Sequence, residues 1–570
     1  MKELPGLLGR SYGELLRDLR LVTEEDVNRA LAEQDKTGED LDTILHRNEV
    51  CEVSRILKTV SEHFKLETID VVHAEISPDV LNAIPVRMIH RYNVLPLAQD
   101  NGRLKVITAD PLNYDAFDDI RLLMNCEVVP VLAVSADIRN AIKQYYGIGA
   151  ETVESMMEEE QQVEVVGKDE HADIEDLTED ASIIRFVNQI MSEAIIDRAT
   201  DIHIEPFEDE LRIRYRVDGI LYDAALPQTI RHYQAAVISR VKIMADMNIA
   251  EKRLPQDGRI NIRSGGAEFD LRVSTVPSSY GESIVIRILS RSSTILTLED
   301  LGMDHRALEI FNKLIRRPHG IILVTGPTGS GKTTSLYAAL AKLNSNDVKI
   351  ITIEDPIEYQ LRGAVQIQVL PKIGLTFASI LRSLLRQDPD IMLVGETRDT
   401  ETAEITIRTA LTGHLVFSTL HTNDAAGAVT RLLDMGIEPF LVASSVIGVM
   451  AQRLVRKICP HCKESYRPER DALIAMNIPK EEWEQTVFYR GRGCEKCKFL
   501  GYRGRTGLFE IFPMSERIKE LTVERASASV IKQQALKEGM LTLRRFGWEV
   551  VREGMTTVDE VLRVAQEEDY

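Results

Sequence analysis

The sequence of 570 residues has no apolar run long enough to cross a membrane. A transmembrane helix needs about 18 or more apolar residues. The best candidate, Phe440 to Ala451, is shorter and contains two serines. The first ten residues, MKELPGLLGR, lack the long apolar core of a signal peptide. We therefore expect a cytoplasmic protein that contacts membranes only through partner proteins.

Cysteine and positive charge are both scarce in this chain. Six cysteines in 570 residues do not form a disulfide framework. The 69 Lys and Arg residues are outnumbered by 89 Asp and Glu residues, which gives a net charge of -20. No basic run with interleaved aromatic residues is present, so a role in moving or processing DNA is disfavoured. We expect no nucleic-acid partner.

Changes in residue pattern along the chain predict several domains joined by two linkers. Hydrophobic residues recur at helical spacing in the first segment, and helical and strand-like patterns mix in the later ones. The predicted segments are a helical subdomain (1–66), an α+β subdomain (67–150), an acidic linker (151–180), an α+β domain (181–290), a second linker (291–302) and a C-terminal domain (303–570) with a cysteine-bearing element (455–510) and C-terminal helices.

The acidic linker has an unusual composition. It holds thirteen Asp and Glu residues and one basic residue, Lys168, so it carries -12 of the net charge of -20. Such a segment repels itself and buries little apolar surface, which is typical of a flexible linker. A partner-binding acidic segment is the alternative interpretation.

The stretch GPTGSGKTT follows the apolar run Ile321 to Val324 and fits the phosphate-loop template. The backbone N–H groups of such a strand-to-helix turn point at anionic oxygens. We expect Lys332 to reach the β- and γ-phosphates and the Thr333 hydroxyl to ligate Mg²⁺. The residues predicted to hold a nucleoside triphosphate are Gly326, Pro327, Thr328, Gly329, Ser330, Gly331, Lys332, Thr333 and Thr334.

Two further apolar runs end in carboxylates. KIITIEDPIEY presents Glu354, Asp355 and Glu358, and RQDPDIMLVGETRD presents Glu396. Carboxylates at the carboxyl ends of parallel strands face the ligand crevice. One of them can orient or deprotonate the attacking water, and another can hold magnesium through water. We assign Glu396 to magnesium or water positioning, with ordinary loop charge as the alternative for the first group.

Two histidines flank a fourth apolar run, in TGHLVFSTLHTNDA. His414 precedes the run and His421 follows it. A single histidine is more often structural than catalytic. Two histidines around one strand, beside Ser418, Thr419 and Thr422, predict a sensor of the γ-phosphate.

Four of the six cysteines fall in two CxxC pairs separated by 31 residues. Four thiolates fit a closed, tetrahedral zinc site. A redox role would need only one pair, near a thioredoxin-like pattern. The isolated Cys51 and Cys126 are expected to be buried apolar residues. The predicted zinc ligands are Cys459, Cys462, Cys494 and Cys497.

The four motifs around the nucleotide, in this order and spacing, resemble those of the secretion ATPase superfamily, the hexameric motors of type II secretion and type IV pili. ATDIHIEP, RYRVDG and EKRLPQDGRI resemble its second N-terminal domain, and GYRGRTGLFEI resembles its C-terminal segment. The resemblance implies an α/β fold. A RecA-like P-loop ATPase domain would follow an α+β (PAS-like) domain and a two-part N-terminal docking domain, and would carry a small four-cysteine zinc element.

The resemblance also implies roles for single residues. Glu358 corresponds to the catalytic base and Glu396 to the Walker-B glutamate. Arginines in or just after the RYRVDG strand reach the nucleotide; Arg214 and Arg231 are the best matches, with Arg216 as a rival. Such arginines would neutralise transition-state charge and tie hydrolysis to domain closure. The alternative is that they only pair with neighbouring acids.

The activity implied by the resemblance is ATP hydrolysis, with Mg²⁺, that drives assembly of a pilus or pseudopilus. A homohexamer would act at the cytoplasmic face of the bacterial inner membrane, on a platform protein and a membrane-anchored docking protein. In this superfamily the four-cysteine element occurs in secretion and assembly motors and is absent from retraction motors. The residue sequences of IITIEDPIEY and of the segment from Leu433 resemble those of type II secretion motors more than those of pilus assembly motors, which remain the alternative.

The N-terminal region leaves a second alternative open. Similar domains in some members bind cyclic di-GMP through a repeated Arg-Leu-Gly-type motif. Here Arg10 to Gly13 matches that motif only in part, and the second copy, Lys36 to Gly38, has no arginine. We therefore favour a docking module over a cyclic dinucleotide sensor.

Overall fold

The computed structural model describes residues 11–37, 40–48, 50–71, 74, 76–100, 102–124, 126–150, 152–153, 156, 181–290 and 296–565. It divides into two compact units: Met1–Gly265 with Asp270–Ile288, and Gly266–Phe269 with Leu289–Tyr570. Within the described ranges, every helix is too short or too polar to cross a membrane.

The first unit begins with four helices that pack around a small apolar core. Leu16, Ile44 and Ile56 are each less than 2% exposed in this core. The first helix is capped by Ser11, whose hydroxyl accepts the N–H of Glu14 while the Glu14 carboxylate accepts the N–H of Ser11. The helices are α1 (Tyr12–Asp18), α2 (Glu24–Thr37), α3 (Leu41–Arg47) and α4 (Val53–Phe64).

A three-stranded sheet with four helices follows. Strands β1 and β2 form an antiparallel hairpin in which Asp100 lies opposite Arg103, and β2 pairs with β3 in parallel. Strand β2 is the central strand of the sheet, and its Leu104, Val106 and Ile107 are fully buried. The elements are α5 (Pro78–Leu81), α6 (Val86–Tyr92), β1 (Leu95–Asp100), β2 (Arg103–Thr108), α7 (Tyr114–Met124), β3 (Glu127–Leu132) and α8 (Ser135–Tyr146).

The chain then packs against the next domain before the acidic segment begins. The N–H of Ile148 donates to the C=O of Ala225 at 2.6 Å. Val153 and Met156 are each 1% exposed, although they fall inside the predicted flexible linker. Apart from residues 152, 153 and 156, the predicted linker 151–180 lies outside the described residues.

The second part of the first unit is a six-stranded sheet with two main helices. Its strand order is β6-β5-β4-β9-β8-β7. Ile183, Phe186 and Ile190 bury one face of α9, as their helical spacing predicts. The elements are α9 (Ala181–Ile196), β4 (Asp201–Pro206), β5 (Leu211–Val217), β6 (Ile220–Asp223), a 3-10 helix (Gln228–Tyr233), α10 (Gln234–Met244), β7 (Gln256–Ser264), β8 (Ala267–Ser278) and β9 (Gly281–Ser290).

The second unit is built on a seven-stranded sheet of order β12-β11-β13-β14-β10-β15-β18. All neighbouring strands are parallel except β15 and β18. The central strands are buried on both faces, which explains their continuous apolar runs. The strands are β10 (Gly320–Thr325), β11 (Ile350–Glu354), β12 (Ala364–Gln368), β13 (Ile391–Val394), β14 (Leu415–Leu420), β15 (Val446–Ile458) and β18 (Tyr502–Pro513).

Helices cover both faces of this sheet and form two apolar cores. Phe311, Tyr337 and Phe417 lie in one core, and Leu381 and Val429 in the other. The helices are α11 (His305–Ile315), α12 (Lys332–Leu343), α13 (Phe377–Leu384), α14 (Thr400–Leu411), α15 (Ala425–Asp434), α16 (Pro439–Ser445), and, after the sheet, α19 (Glu516–Val523), α20 (Ala528–Lys537), α21 (Leu543–Arg552) and α22 (Val558–Val564).

A small element is inserted in the chain between the paired strands β15 and β18. Its two strands pair in antiparallel fashion, and Phe488 of one strand lies 6.0 Å, ring to ring, from the fully buried Trp548 of α21. The cysteine-bearing element is therefore packed against the C-terminal helices. Its parts are β16 (Lys463–Tyr466), α17 (Arg470–Ala475), α18 (Lys480–Glu484) and β17 (Phe488–Gly491).

Candidate nucleotide site and metal centre

Strands β10, β11, β13 and β14 end at one edge of the sheet. In the parallel register, Thr325 lies opposite Leu420 and Val394 lies opposite both Ile353 and Ser418. The loops that follow these four strands therefore converge, as expected for the ligand crevice of a parallel sheet. We call this side of the sheet the carboxyl edge.

The phosphate loop connects β10 to α12 at the carboxyl edge. Gly326 and Gly331 have φ values of 149° and 89°. A Cβ on Gly326 would lie 2.6 Å from the C=O of Gln452, so only glycine fits there. Lys332 Nζ donates to the C=O groups of Gly326 and Pro327 at 2.8 and 3.1 Å. The lysine ammonium thus lies against the loop that the template predicts.

A second cation, Arg453, lies beneath the loop. Arg453 is 7% exposed, and its guanidinium donates to the C=O groups of Asn423 and Gln452 at 2.6 and 3.0 Å. Burial, followed by the charge of Arg453, lowers the pKa of Lys332 to about 8, and Glu396 opposes this shift. The half-buried Lys332 and the buried Arg453, whose hydrogen bonds go to neutral carbonyls, make an electropositive site suited to an anion.

Sequence reasoning did not assign Arg453 a role. The one available signal was a charged residue at position 453, close after the apolar run Val446 to Ala451 that begins β15. Buried charges are costly unless they are compensated, so such a residue is a candidate for a ligand site.

Glu396 follows β13 at the carboxyl edge. Its Oε2 lies 2.7 Å from Arg398 Nε and 3.5 Å from His421 Nε2. Among the described residues, its Oε1 and the Ser330 hydroxyl are buried without a hydrogen-bond partner. Buried polar atoms normally have partners. Hydrated Mg²⁺ would provide one, and Thr333 stands in the first turn of α12, after the loop.

Threonine side chains connect the loops at this edge. Thr419 Oγ1 donates to the C=O of Gly395 at 2.6 Å. The hydroxyl groups of Thr325 and Thr422 lie 2.6 Å apart, and the Thr422 N–H donates to the Thr325 hydroxyl. The segment with His421 is thereby fixed beside β10 and β13.

The structure separates the two histidines. His421 follows β14 and lies at the carboxyl edge, beside Glu396. His414 precedes β14, and its Nδ1 lies 2.9 Å from the C=O of Thr409. A strand of six residues spans about 20 Å, so His414 is at the opposite edge from the phosphate loop. This corrects the expectation that both histidines sense one γ-phosphate.

The three carboxylates of the acidic run are placed differently. Glu354 is 3% exposed, and its carboxylate is used in hydrogen bonds inside the domain. Asp355 is exposed and Glu358 is half-buried, both in the loop after β11. Glu358 and Asp355 are therefore the accessible carboxylates of this run.

The candidate arginines lie in the first unit. Arg214 on β5 donates from Nε and a terminal nitrogen to both oxygens of Glu205, at 2.9 and 2.8 Å. Arg216 lies 3.7 Å from Asp201. Arg231 is exposed on the 3-10 helix. Arg214 thus has the acidic partner that the alternative interpretation predicts, whereas Arg231 is open to solvent.

The four cysteine sulfurs of the two CxxC pairs all lie within 4.8 Å of one another. Three Sγ–Sγ distances are 3.7 to 3.8 Å. Tetrahedral zinc with Zn–S bonds of about 2.3 Å requires sulfurs about 3.8 Å apart, so these residues fit the ion. The backbone N–H groups of Gly493 and Gly501 donate to the sulfurs of Cys462 and Cys497, each at 3.3 Å. Such hydrogen bonds stabilise the thiolate form of a cysteine. The cluster is Cys459, Cys462, Cys494 and Cys497.

Two expectations concern residues away from these sites. Cys51 is buried as expected, but Cys126 is only half-buried. Arg10 and Gly38, from the partial cyclic dinucleotide motifs, lie outside the described residues.

A phosphate loop on a parallel sheet, with carboxylates at the same edge, defines a P-loop ATPase with a mixed α/β fold. The family model described as Type II/IV secretion system protein matches residues 176–563, and the chain belongs to this family. A second model, the MshEN domain, matches residues 64–152. The predicted fold class and family are confirmed.

Relatives with assigned activities match over almost the whole chain. The type IV pilus assembly ATPase PilB of Myxococcus xanthus is 42% identical over 555 residues, 96% of this chain and 98% of the relative. Type II secretion system protein E of Xanthomonas campestris is 42% identical over 560 residues, 97% of this chain and 98% of the relative. The predicted ATPase activity is confirmed, and with it the use of ATP and Mg²⁺.

Solved structures also resemble the chain. The pilus retraction motor PilT with bound ADP is 25% identical, with a TM-score of 0.46, and the match covers 66% of this chain and 96% of that one.

Proposed function

We propose that this protein is a hexameric motor that hydrolyses ATP to assemble the pseudopilus of type II secretion. The observation that carries the proposal is the convergence of the phosphate loop, Glu396 and His421 at one edge of the sheet. The four-cysteine cluster in the same domain supports a secretion or assembly motor over a retraction motor.

The proposed site divides its tasks among several loops. Gly326 to Thr334 hold the phosphates, and Lys332 neutralises the β- and γ-phosphates. Thr333 and Glu396 would hold Mg²⁺, which would neutralise charge on the phosphates. Glu358 accepts the proton of the attacking water. His421, beside Glu396, contacts the γ-phosphate.

The proposed domain roles follow the predicted boundaries. Residues 1–66 and 67–150 dock a membrane-anchored partner, and residues 181–290 supply an arginine to the nucleotide. Residues 303–570 hold the nucleotide and move against the second N-terminal domain as ATP is hydrolysed. The motor works at the cytoplasmic face of the inner membrane and transmits this movement to a platform protein there.

Arg231→Ala is expected to lower kcat about 100-fold or more, because Arg231 is exposed and free to approach the transition-state charge. Arg214→Ala should change kcat little. It should instead lower the melting temperature, because Glu205 loses its bidentate partner. Steady-state phosphate release and thermal unfolding of both variants test this difference. A large kcat loss in Arg214→Ala with unchanged melting would assign the role to Arg214.

Deletion of the gene, with complementation by the wild type or by Lys332→Ala, tests the cellular function. We expect the deletion strain to lose secreted exoproteins and to keep its surface pili. The wild type should restore secretion, and Lys332→Ala should not. Secreted proteins in the culture medium and pili in electron micrographs are the measurements.

Type IV pilus assembly is the second candidate function. The whole-length match to the Myxococcus xanthus pilus assembly ATPase, equal in identity to the match with the secretion protein, favours it. Loss of pili with normal secretion in the deletion strain would support this alternative and reject the first proposal.

A further inference from the structure

A buried polar network lies between helix α12 and the loop that carries Glu358. Glu354 at the end of β11 is 3% exposed, and Tyr337 on α12 is 1% exposed. The Tyr337 hydroxyl donates to Glu354 Oε2. Thr352 Oγ1 donates to the other oxygen, Oε1, at 2.6 Å. Both oxygens of the buried carboxylate are therefore bonded, one of them to the helix that follows the phosphate loop.

Gln366 on β12 joins this network to the Glu358 loop. Its Nε2 lies 3.1 Å from the Tyr337 hydroxyl and 3.3 Å from Glu354 Oε1, and donates to the C=O of Tyr359 at 2.9 Å. Its Oε1 accepts the N–H of Leu361 at 2.7 Å. One side chain thus holds the backbone at two points directly after Glu358.

Packing alone does not account for a carboxylate at this position. The described partners of Glu354 are neutral, and burial, with the charge of Glu358 as a lesser cause, raises its pKa. An apolar residue of similar volume would avoid this cost. A fully bonded polar network, however, fixes one geometry where apolar packing tolerates several.

From this arrangement we propose that Tyr337, Glu354 and Gln366 are positioning residues. They hold Glu358 at a fixed position relative to the phosphate loop. The inference rests on the proposed role of Glu358 as the base. Tyr337 lies five residues after Lys332 on α12, and Tyr359 directly follows Glu358. The network therefore connects the helix that carries the phosphate-binding lysine to the loop that presents the base.

Tyr337→Phe tests this role because it removes the hydroxyl and keeps the ring. We expect kcat to fall about tenfold to 100-fold, since small displacements of a catalytic group have effects of this size. The KM for ATP should stay within about twofold, and Gln366→Met should behave in the same way. The matched control is Tyr502→Phe, which removes a hydroxyl lying 2.8 Å from Thr557 Oγ1 in the same domain and should leave kcat unchanged.

A double-mutant cycle with Glu358→Gln separates positioning from general loosening. If Tyr337 acts through Glu358, Tyr337→Phe causes no further loss of kcat in the Glu358→Gln background. Equal fold losses in both backgrounds, or a kcat like that of Tyr502→Phe, would overturn the positioning role. Normal turnover in Glu358→Gln alone would overturn the base assignment itself, so the two failures are distinguishable.

Discussion

Glu358→Gln is expected to lower ATP turnover by about 10²- to 10⁴-fold, the usual contribution of a general base. Glutamine keeps the shape of the side chain but cannot take a proton from the attacking water. ATP binding should remain close to that of the wild type, because the phosphate loop and Lys332 are unchanged. Phosphate release and equilibrium binding of a fluorescent ATP analogue measure the two effects separately.

Three further variants serve as comparisons for Glu358→Gln. Lys332→Ala should lose nucleotide binding itself, and Glu396→Gln should stop turnover with binding largely retained. Glu309→Gln is the control, since Glu309 is a surface carboxylate of α11 bonded to Lys313 at 2.6 Å. Turnover of Glu358→Gln equal to that of Glu309→Gln would reject Glu358 as the base, and normal turnover of Glu396→Gln would reject its assigned role.

The sequence predicted the phosphate loop and the neighbouring carboxylates because each follows an apolar run typical of a buried parallel strand. Strand direction also explains why the prediction for His414 was wrong. The phosphate loop follows β10, so ligand groups must follow their strands, as Glu396 and His421 do. His414 precedes its strand, and the rule that selected Glu396 would have excluded it.

Contacts between distant parts of the chain could not be predicted from local patterns. Glu354 and Glu358 are four residues apart in one acidic run, yet only Glu354 is buried. Its burial depends on Tyr337 and Gln366, which lie 17 and 12 residues away. The pairing of Arg214 with Glu205 likewise depends on the register of β4 and β5. Tertiary packing determines which carboxylate is buried and which acid pairs with the arginine.

The cysteine cluster was predictable because CxxC spacing itself encodes the geometry of a metal site. What the spacing does not reveal is how the cluster is connected to the rest of the domain. Gly554, after α21, packs against Lys463 and Tyr489, which flank the cluster in β16 and β17. The Ile458 N–H, beside Cys459, donates to the C=O of Met555 at 2.8 Å. The cluster therefore supports the C-terminal helices.

Cys459→Ser is expected to remove bound zinc and to lower the melting temperature of the domain by about 6–12 °C. Structural zinc contributes directly to folding free energy, and a loss of about 3 kcal/mol corresponds to this shift for a domain of this size. The wild type should contain about one zinc ion per chain. Elemental analysis and thermal unfolding of the purified proteins are the measurements.

The matched control for this variant is Cys126→Ser, which changes a half-buried cysteine outside the cluster. It should retain about one zinc ion per chain. Because the phosphate loop lies at the carboxyl edge and the cluster lies beyond β15, Cys459→Ser should still bind ATP well below its melting temperature. Zinc-free wild type that melts like the zinc-bound protein would show that the four thiols need no metal. Loss of ATP binding in folded Cys459→Ser would show that the cluster also shapes the nucleotide site.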